Sequence, residues 1–192
     1  TFDIYVYDKF RENISMDFSK REGIMFVGGF GHPPNEDAVL WFVDKVLPLI
    51  RRHSDMPFYV IGANPTEQVK KLAGNGVIIK GFVTDAELEE MYNTCRMAVI
   101  PLRYGSGVKG KVVEALYYGI PMVTTSIGIE GITGAEQFVE IADTADSFAD
   151  KVMALYSDMQ KLADTVQIYQ NYVKEHCSVQ AVWNHIKDDF SR

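Results

Sequence analysis

Short apolar runs alternate along the chain with longer amphipathic stretches. The apolar runs lie at residues 24–27, 58–61, 77–79, 97–101, 121–124 and, more weakly, 138–141. After the first run, apolar residues keep the spacing of one helix face, at Val39, Val43, Val46, Leu47 and Ile50. Strand-length and helix-length segments in alternation indicate βα units. The pattern therefore predicts an α/β fold with a doubly wound parallel sheet of about six strands.

Local signals mark where several helices begin. Pro33-Pro34-Asn35 is expected to start the first helix, and Thr84-Asp85-Ala86-Glu87 has the form of a capping box. Beyond residue 141 the pattern is helical only, with Ser178 as the cap between two amphipathic segments. One segment places Leu162, Val166, Tyr169 and Val173 on a common face, and the other places Val179, Val182, Trp183, Ile186 and Phe190 together. The fold is expected to end in helices.

Composition and charge exclude several classes of protein. The chain has 192 residues, 47% of them hydrophobic, and a formal net charge of −7. This balance argues against a nucleic-acid-binding surface, so any anion site must be local. Cys95 and Cys177 show no metal-ligand or disulfide spacing, and we expect no metal. The lack of disulfide spacing fits a reducing, cytoplasmic setting. No apolar run has transmembrane length and no signal peptide is recognisable, so we expect a soluble chain.

The start of the chain indicates a piece of a longer polypeptide. Thr1 takes the place of an initiator methionine, and residues 1–4 read as part of a short strand. Residues 8–23 are polar and irregular. We therefore expect residues 1–22 to be an N-terminal strand with the remnant of an interdomain linker, and residues 23–192 to form the ligand-binding domain.

The loop after the first predicted strand, residues 28–35, is rich in glycine. Backbone N–H groups of such a loop, followed by a helix start, can bind phosphate, although a tight βα turn explains the glycines equally well. The dinucleotide-binding fingerprint is broken, because Pro34 takes the third glycine position and the second strand ends in Gly62 without an acidic residue. His32 can donate to a phosphate or a sugar hydroxyl, or be an exposed loop residue.

A second loop, after the fourth strand, combines glycines with three cations. Arg103, Lys109 and Lys111 lie within nine residues, interleaved with three glycines and just before a helix start. This combination suits a diphosphate, although a solvated basic loop is the alternative. Glu114 in the following helix can accept hydrogen bonds from a ribose diol. From spacing alone, a helix-start acid that favours the dipole is the better explanation.

The order of these features resembles the C-terminal half of group 1, or family 4, retaining glycosyltransferases of the GT-B fold. The resemblance runs from about Gly23 to Gly131 and includes Gly81-Phe82-Val83 and Val99-Ile100-Pro101. Its most specific part is the stretch from Glu114 to Thr124, which is similar to the family signature E-A-x-x-x-G-x-P-V-V. The resemblance implies a Rossmann-like domain that binds a nucleotide diphosphate-sugar, with no required cofactor or metal.

The resemblance also assigns roles to individual residues. Glu114 would bind the ribose, the backbone at Phe82 and Val83 would meet the base, and Lys109 or Lys111 would contact the diphosphate. The implied donor site comprises Gly29, Gly31, Phe82, Val83, Arg103, Gly105, Ser106, Gly107, Val108, Lys109, Lys111 and Glu114. Of these, Lys109 and Glu114 are expected to contribute to catalysis, together with His32.

Two departures from the family pattern affect these roles. Ser106 occupies the position of the first Glu of the E-x7-E motif, which usually binds hydroxyls of the donor sugar. The Arg and Lys that many members carry after the first strand are missing, so we infer that Arg103, Lys109 and Lys111 supply the positive charge. A noncatalytic module with a degenerate site and an NAD-type domain remain as alternatives.

The resemblance finally implies a biological setting. The partners would be a nucleotide-sugar donor, a glycan or lipid-linked acceptor and a missing N-terminal GT-B domain, without which this hexosyltransferase-type chain is expected to be inactive. The pattern of residues 101–111 resembles bacterial surface-polysaccharide transferases. The sequence leaves open a peripheral association of the full-length protein with the inner face of the membrane.

Overall fold

A six-stranded parallel sheet forms the centre of the protein. The computed structural model describes residues 5–12, 14–181 and 183. The strands are β1 (Ile24–Val27), β2 (Phe58–Ile61), β3 (Val77–Gly81), β4 (Met97–Ile100), β5 (Met122–Thr124) and β6 (Glu140–Ile141). Their order is β3-β2-β1-β4-β5-β6, and all pairs are parallel. The predicted doubly wound α/β fold is thereby confirmed.

Helices connect and flank the strands. They are α1 (Pro33–Trp41), α2 (Leu47–Ile50), α3 (Glu67–Lys70), α4 (Asp85–Thr94), α5 (Gly110–Tyr118), α6 (Ser126–Ile129), α7 (Ala145–Ser157) and α8 (Met159–His176). Pro33 begins α1 and Thr84 forms the capping box of α4, as predicted. The helical C-terminus is confirmed through α7 and α8. The Ser178 hydroxyl caps the next turn by accepting from the Ala181 N–H at 3.0 Å. The predicted partners Val182, Ile186 and Phe190 lie outside the described residues.

The single helix expected around residues 39–50 contains a change of register. Residues Phe42–Val46 are π-helical, and the Leu47 N–H donates to the Phe42 carbonyl, five residues back. The next residue is Pro48, which has no N–H to donate to the Asp44 carbonyl and whose ring crowds that oxygen. Widening the helix by one residue relieves this conflict. Pro48 was the feature of the sequence that indicated this change of register. The spacing of apolar residues does not indicate it, because it fits one continuous helix.

The two central strands, β1 and β4, contribute mostly buried side chains to the core. Ile24, Met25 and Phe26 of β1 are fully buried, and every residue of β4 is buried. The Phe42 ring lies 4.8 Å from the Phe58 ring of β2. Each such aromatic side chain contributes roughly 1.5–3 kcal/mol when fully buried. The loops that leave β1 and β4 therefore begin from rigid positions.

The N-terminal segment packs along the domain. The Tyr7 N–H donates to the Cys177 carbonyl at 2.8 Å, and the Tyr7 ring stacks on Tyr117 with centroids 3.9 Å apart. Arg11 pairs with Glu89 of α4 at 2.8 Å. Among the described residues before β1, the regular element is a 3-10 turn at Phe18–Lys20. Residues 1–4 of the expected strand lie outside the described residues, and the division at residue 22 stays a prediction.

The backbones of two loops meet at the carboxyl edge of the sheet. Gly62, which follows β2, has φ +156°, and a Cβ added to it would lie 2.0 Å from the Gly28 carbonyl oxygen. The Gly28 N–H in turn donates to the Ile61 carbonyl at 2.9 Å. Only a residue without a side chain permits this approach.

We therefore expect Gly62→Ala to lower the free energy of unfolding by about 3 kcal/mol, because the backbone after β1 must move to admit the methyl group. Gly31→Ala is the matched control, since a Cβ there meets nothing within 4 Å. Urea unfolding followed by circular dichroism measures both changes. Equal unfolding midpoints for the two variants would show that the contact does not constrain the fold.

Candidate functional site

The chain reverses its direction of winding between β1 and β4. From β1 the connections lead to β2 and β3 on one side, and from β4 to β5 and β6 on the other. Ligands of doubly wound folds bind at this switch point, at the carboxyl ends of the strands. An open cleft of about 400 Å³ lies there. Its lining comprises Tyr5, Tyr7, Val27, Gly28, Gly29, Asn35, Gly110, Lys111 and Glu114. The fold thus brings together Gly29, Lys111 and Glu114 of the predicted site.

The glycine loop after β1 forms one wall of this cleft. A Cβ on Gly28 would lie 2.6 Å from the Lys111 ammonium nitrogen and 2.9 Å from the Asn35 amide carbon. A glycine is therefore needed for Lys111 to reach this position. A Cβ on Gly29 or Gly31 would meet nothing within 4 Å. The backbone of these two residues is open to an approaching ligand.

Lys111 is the cation that faces the cleft. It lies in the first turn of α5, where the helix dipole already favours an anion. Its ammonium group donates to the Asn35 side-chain oxygen and lies 4.6 Å from the centre of the Phe26 ring. Burial lowers the pKa of Lys111 to about 8, although the negative charge of Glu114 opposes the shift. The ammonium is thus largely removed from water, and no carboxylate among the described residues is hydrogen-bonded to it, so its charge can act on a ligand.

Glu114 lies one turn further along α5. Burial raises its pKa, against the hydrogen bond from Tyr92 and the charge of Lys111. Tyr92 is only 1% exposed, and burial raises the pKa of its phenol well above the ordinary value. Tyr92 therefore remains a hydrogen-bond donor that supports the carboxylate. A carboxylate held in this way at the cleft wall can accept hydrogen bonds from a pair of vicinal hydroxyls.

The other two predicted cations are already paired with carboxylates. The Arg103 guanidinium makes two hydrogen bonds to Asp37 of α1, one of them at 2.9 Å. Lys109 caps α5, is 9% exposed, and donates to the Gly107 carbonyl and, at 3.2 Å, to Glu130. Neither residue belongs to the lining of the cleft. Their contacts with a diphosphate stay predictions.

The remaining predicted residues do not line the cleft. Gly105 and Gly107 have φ of +129° and +74°, so the loop between β4 and α5 turns through conformations that favour glycine. Ser106 is exposed on this turn, and Val108 packs against Gly131. His32 is exposed at the N-terminus of α1, where its side chain makes no capping hydrogen bond. Phe82 is 74% exposed after β3, and Val83 is half-buried.

Three residues with polar side chains, Asn35, Tyr5 and Tyr7, line the cleft but were not among the predicted site residues. Asn35 was recognised only as part of a helix start, although a polar residue beside two prolines in a candidate phosphate loop was an available signal. Tyr5 and Tyr7 reach the cleft from the N-terminal segment, with the Tyr5 hydroxyl 2.3 Å from where a Cβ on Gly110 would lie. Nothing in the local sequence indicates this long-range contact.

Within residues 5–12, 14–181 and 183, no cluster of three or more His, Cys, Asp or Glu side chains could hold a metal ion. No helix in that part of the chain is long and apolar enough to cross a bilayer.

Comparison with solved structures identifies proteins of the same fold. The crystal structure of TarM from S. aureus superposes with a TM-score of 0.80 at 14% identity, covering all of this chain and 39% of TarM. Anabaena HepE in complex with UDP and glucose gives 0.66 at 16% identity, over 92% of this chain and 50% of HepE. The C-terminal domain of LpcC, a group 1 glycosyl transferase of Francisella tularensis, gives a TM-score of 0.63 at 19% identity. This match covers 88% of this chain and 95% of the LpcC domain. The predicted fold of a GT-B C-terminal domain is confirmed.

A sequence relative and a family model show the family of the chain. A 44.6 kDa protein in the cps region of Klebsiella pneumoniae is 27% identical over 174 residues. The match covers 85% of this chain and 44% of that protein, so the chain spans less than half of its relative. The model of the family "Glycosyl transferases group 1" matches residues 21–158, which is well over half of the chain. The chain belongs to the group 1 glycosyl transferases.

Proposed function

We propose that this chain binds the nucleotide diphosphate-sugar donor of a retaining glycosyltransferase. The observation that carries the proposal is the convergence of Lys111, Glu114 and the open backbone of Gly29 in one cleft at the switch point of the sheet. A cation, an acceptor for a diol and free backbone amides are what a nucleoside diphosphate requires. The structures of HepE with UDP and glucose, and with UDP-glucose, support a donor of this class.

Each group has a distinct role in this proposal. Glu114 accepts hydrogen bonds from the ribose hydroxyls, and Lys111 with the N-terminus of α5 stabilises the diphosphate as it leaves. The backbone near Phe82 and Val83 meets the base. Gly31 and His32 lie toward the transferred sugar. Lys109 and Arg103 add positive charge when the diphosphate competes with Glu130 and Asp37, so no metal ion is required.

The acceptor and the setting belong to the same proposal. We propose hexosyl transfer to a glycan or lipid-linked acceptor in bacterial surface-polysaccharide synthesis, which the cps-region relative supports. An N-terminal GT-B domain would bind the acceptor, and these 192 residues alone would not transfer sugar. The proposed location is the cytoplasm, with association at the inner face of the membrane through the full-length protein.

Calorimetric titration with UDP, GDP, ADP and NADH tests the nucleotide site. We expect one nucleoside diphosphate to bind, and Glu114→Gln to weaken that binding by roughly tenfold to a hundredfold, because a charged acceptor for the ribose is lost. Lys109→Ala tests in the same assay whether the buried lysine contributes to the anion site.

The matched control is Glu90→Gln, the same change on the exposed surface of α4. It should bind like the unchanged chain. If the chain bound none of the four compounds, or bound NADH alone, the donor-site proposal would fail. If Glu114→Gln and Glu90→Gln bound equally well, the ribose role of Glu114 would be wrong.

The low pKa of Lys111 predicts a pH dependence of diphosphate binding. Below a pH of about 8 the ammonium is protonated and attracts the diphosphate. Above it the free protein loses the charge, so binding must take up a proton and weakens by up to about tenfold for each pH unit. Lys111→Arg keeps its charge throughout and is expected to show no such decline. Calorimetric titrations from pH 6.5 to 9 measure the diphosphate affinity of the unchanged chain and of Lys111→Arg. The same pH dependence of affinity in both proteins would contradict the prediction.

A further inference from the structure

Asn35 joins the two loops that form the cleft. It is the third residue of α1 and only 8% exposed. Its side-chain oxygen accepts from the Lys111 ammonium, and its side-chain nitrogen donates to the Gly29 carbonyl at 2.7 Å. Both ends of the amide are therefore used, one on each wall of the cleft. The oxygen and the nitrogen of the buried amide thus each have a hydrogen-bond partner, and these partners fix its orientation.

The surroundings of the Lys111 ammonium include, besides Asn35, an aromatic ring, a glycine and a carboxylate. Phe26 of β1 lies beneath the ammonium, and the missing side chain of Gly28 provides the space for it. Glu114 is the other charged residue among the described residues that line the cleft, with Tyr5 and Tyr7 on the N-terminal side. Without Asn35, the flexible lysine side chain could turn toward Glu114 or toward solvent.

The neutral amide of Asn35 holds a cation without neutralising it, whereas a carboxylate on the same helix neutralises its partner. Two residues further along α1, Asp37 holds Arg103 through two charged hydrogen bonds and neutralises it. Asn35 holds Lys111 through a neutral oxygen, which orients the ammonium without adding a negative charge to it. The same helix thus presents one paired cation and one available cation.

We infer that Asn35 is a positioning residue, which fixes Lys111 in the cleft with its charge available to an anionic diphosphate and aligns the Gly29 backbone beside it. The identity of the ligand as a nucleoside diphosphate rests on the proposed function. The positioning of Lys111 does not, and it can be measured in the free protein.

The first experiment follows the titration of Lys111 by NMR of isotopically labelled lysine side chains, with the signal assigned from Lys111→Arg. In Asn35→Asp the new carboxylate favours the ammonium, so the Lys111 pKa should rise above the value in the unchanged chain. In Asn35→Ala the freed side chain reaches water, and its pKa should rise toward the ordinary lysine value. An unchanged titration in both variants would overturn the inference, whether or not any nucleotide binds.

The second experiment measures binding of UDP and of inorganic pyrophosphate at pH 7. Asn35→Asp should weaken binding of the anion by about tenfold or more, since it neutralises Lys111 and adds a negative charge. Asn93→Asp is the matched control, because Asn93 is exposed on α4 and its side-chain oxygen also accepts from a cation, Arg11, at 3.1 Å. It should leave both affinities unchanged.

Thermal unfolding separates a positioning role from a loss of structure. Asn35→Asp keeps the shape of the side chain, so this variant can still test the positioning role if Asn35→Ala does not fold. Wild-type affinity in a folded Asn35→Asp protein would refute the role. If the unchanged chain bound neither UDP nor pyrophosphate, the proposed function would fail, and the lysine titration would still decide the role of Asn35.

Discussion

The candidate site depends on the lack of a side chain at Gly28 and Gly62. The Gly28 carbonyl oxygen lies 2.0 Å from where a Cβ of Gly62 would be, and the missing Cβ of Gly28 makes room for the Lys111 ammonium. One residue thereby links the loop after β2, the loop after β1 and the first turn of α5. The parallel sheet brings these three segments to the same edge, but the two glycines allow them to touch. A side chain at either position would separate the groups that form the cleft.

The site is also where the fold departs from what stability alone would favour. An ammonium removed from water and held by a neutral amide is destabilising compared with a well-packed apolar side chain. The buried side chains of β1 and β4 supply stability that offsets this cost. Such a local conflict between burial and charge is typical of functional sites. Arg103 and Lys109, in contrast, have carboxylate partners and stabilise the loop that carries them.

The fold and the chemistry of the site were predictable to different extents. Apolar runs indicated the six strands because a buried parallel sheet requires them. The spacing of glycines and cations indicated an anion-binding loop that includes Lys111, whereas Glu114 was assigned to the site only through the family resemblance. Asp37 and Glu130 are 66 and 21 residues away from the cations they pair with. No local pattern indicates that Arg103 and Lys109 are held by these carboxylates, nor that Tyr5 enters the cleft. Contacts of this kind depend on how the elements dock.

The pairing of two cations and the exposure of a third to the cleft suggest an order of events for an anionic ligand. In the proposed function, a diphosphate meets Lys111 first, because no carboxylate among the described residues is hydrogen-bonded to the Lys111 ammonium and would have to be displaced. Arg103 is half-exposed and paired, so replacing Asp37 by a phosphate oxygen exchanges one charged contact for another with little net gain in water. Lys109 is buried, and breaking its contact with Glu130 is favourable only if the phosphate takes the carboxylate's place directly. In the proposed function, the strength of diphosphate binding therefore depends more on Lys111 than on Lys109 or Arg103, which must first exchange their carboxylate partners.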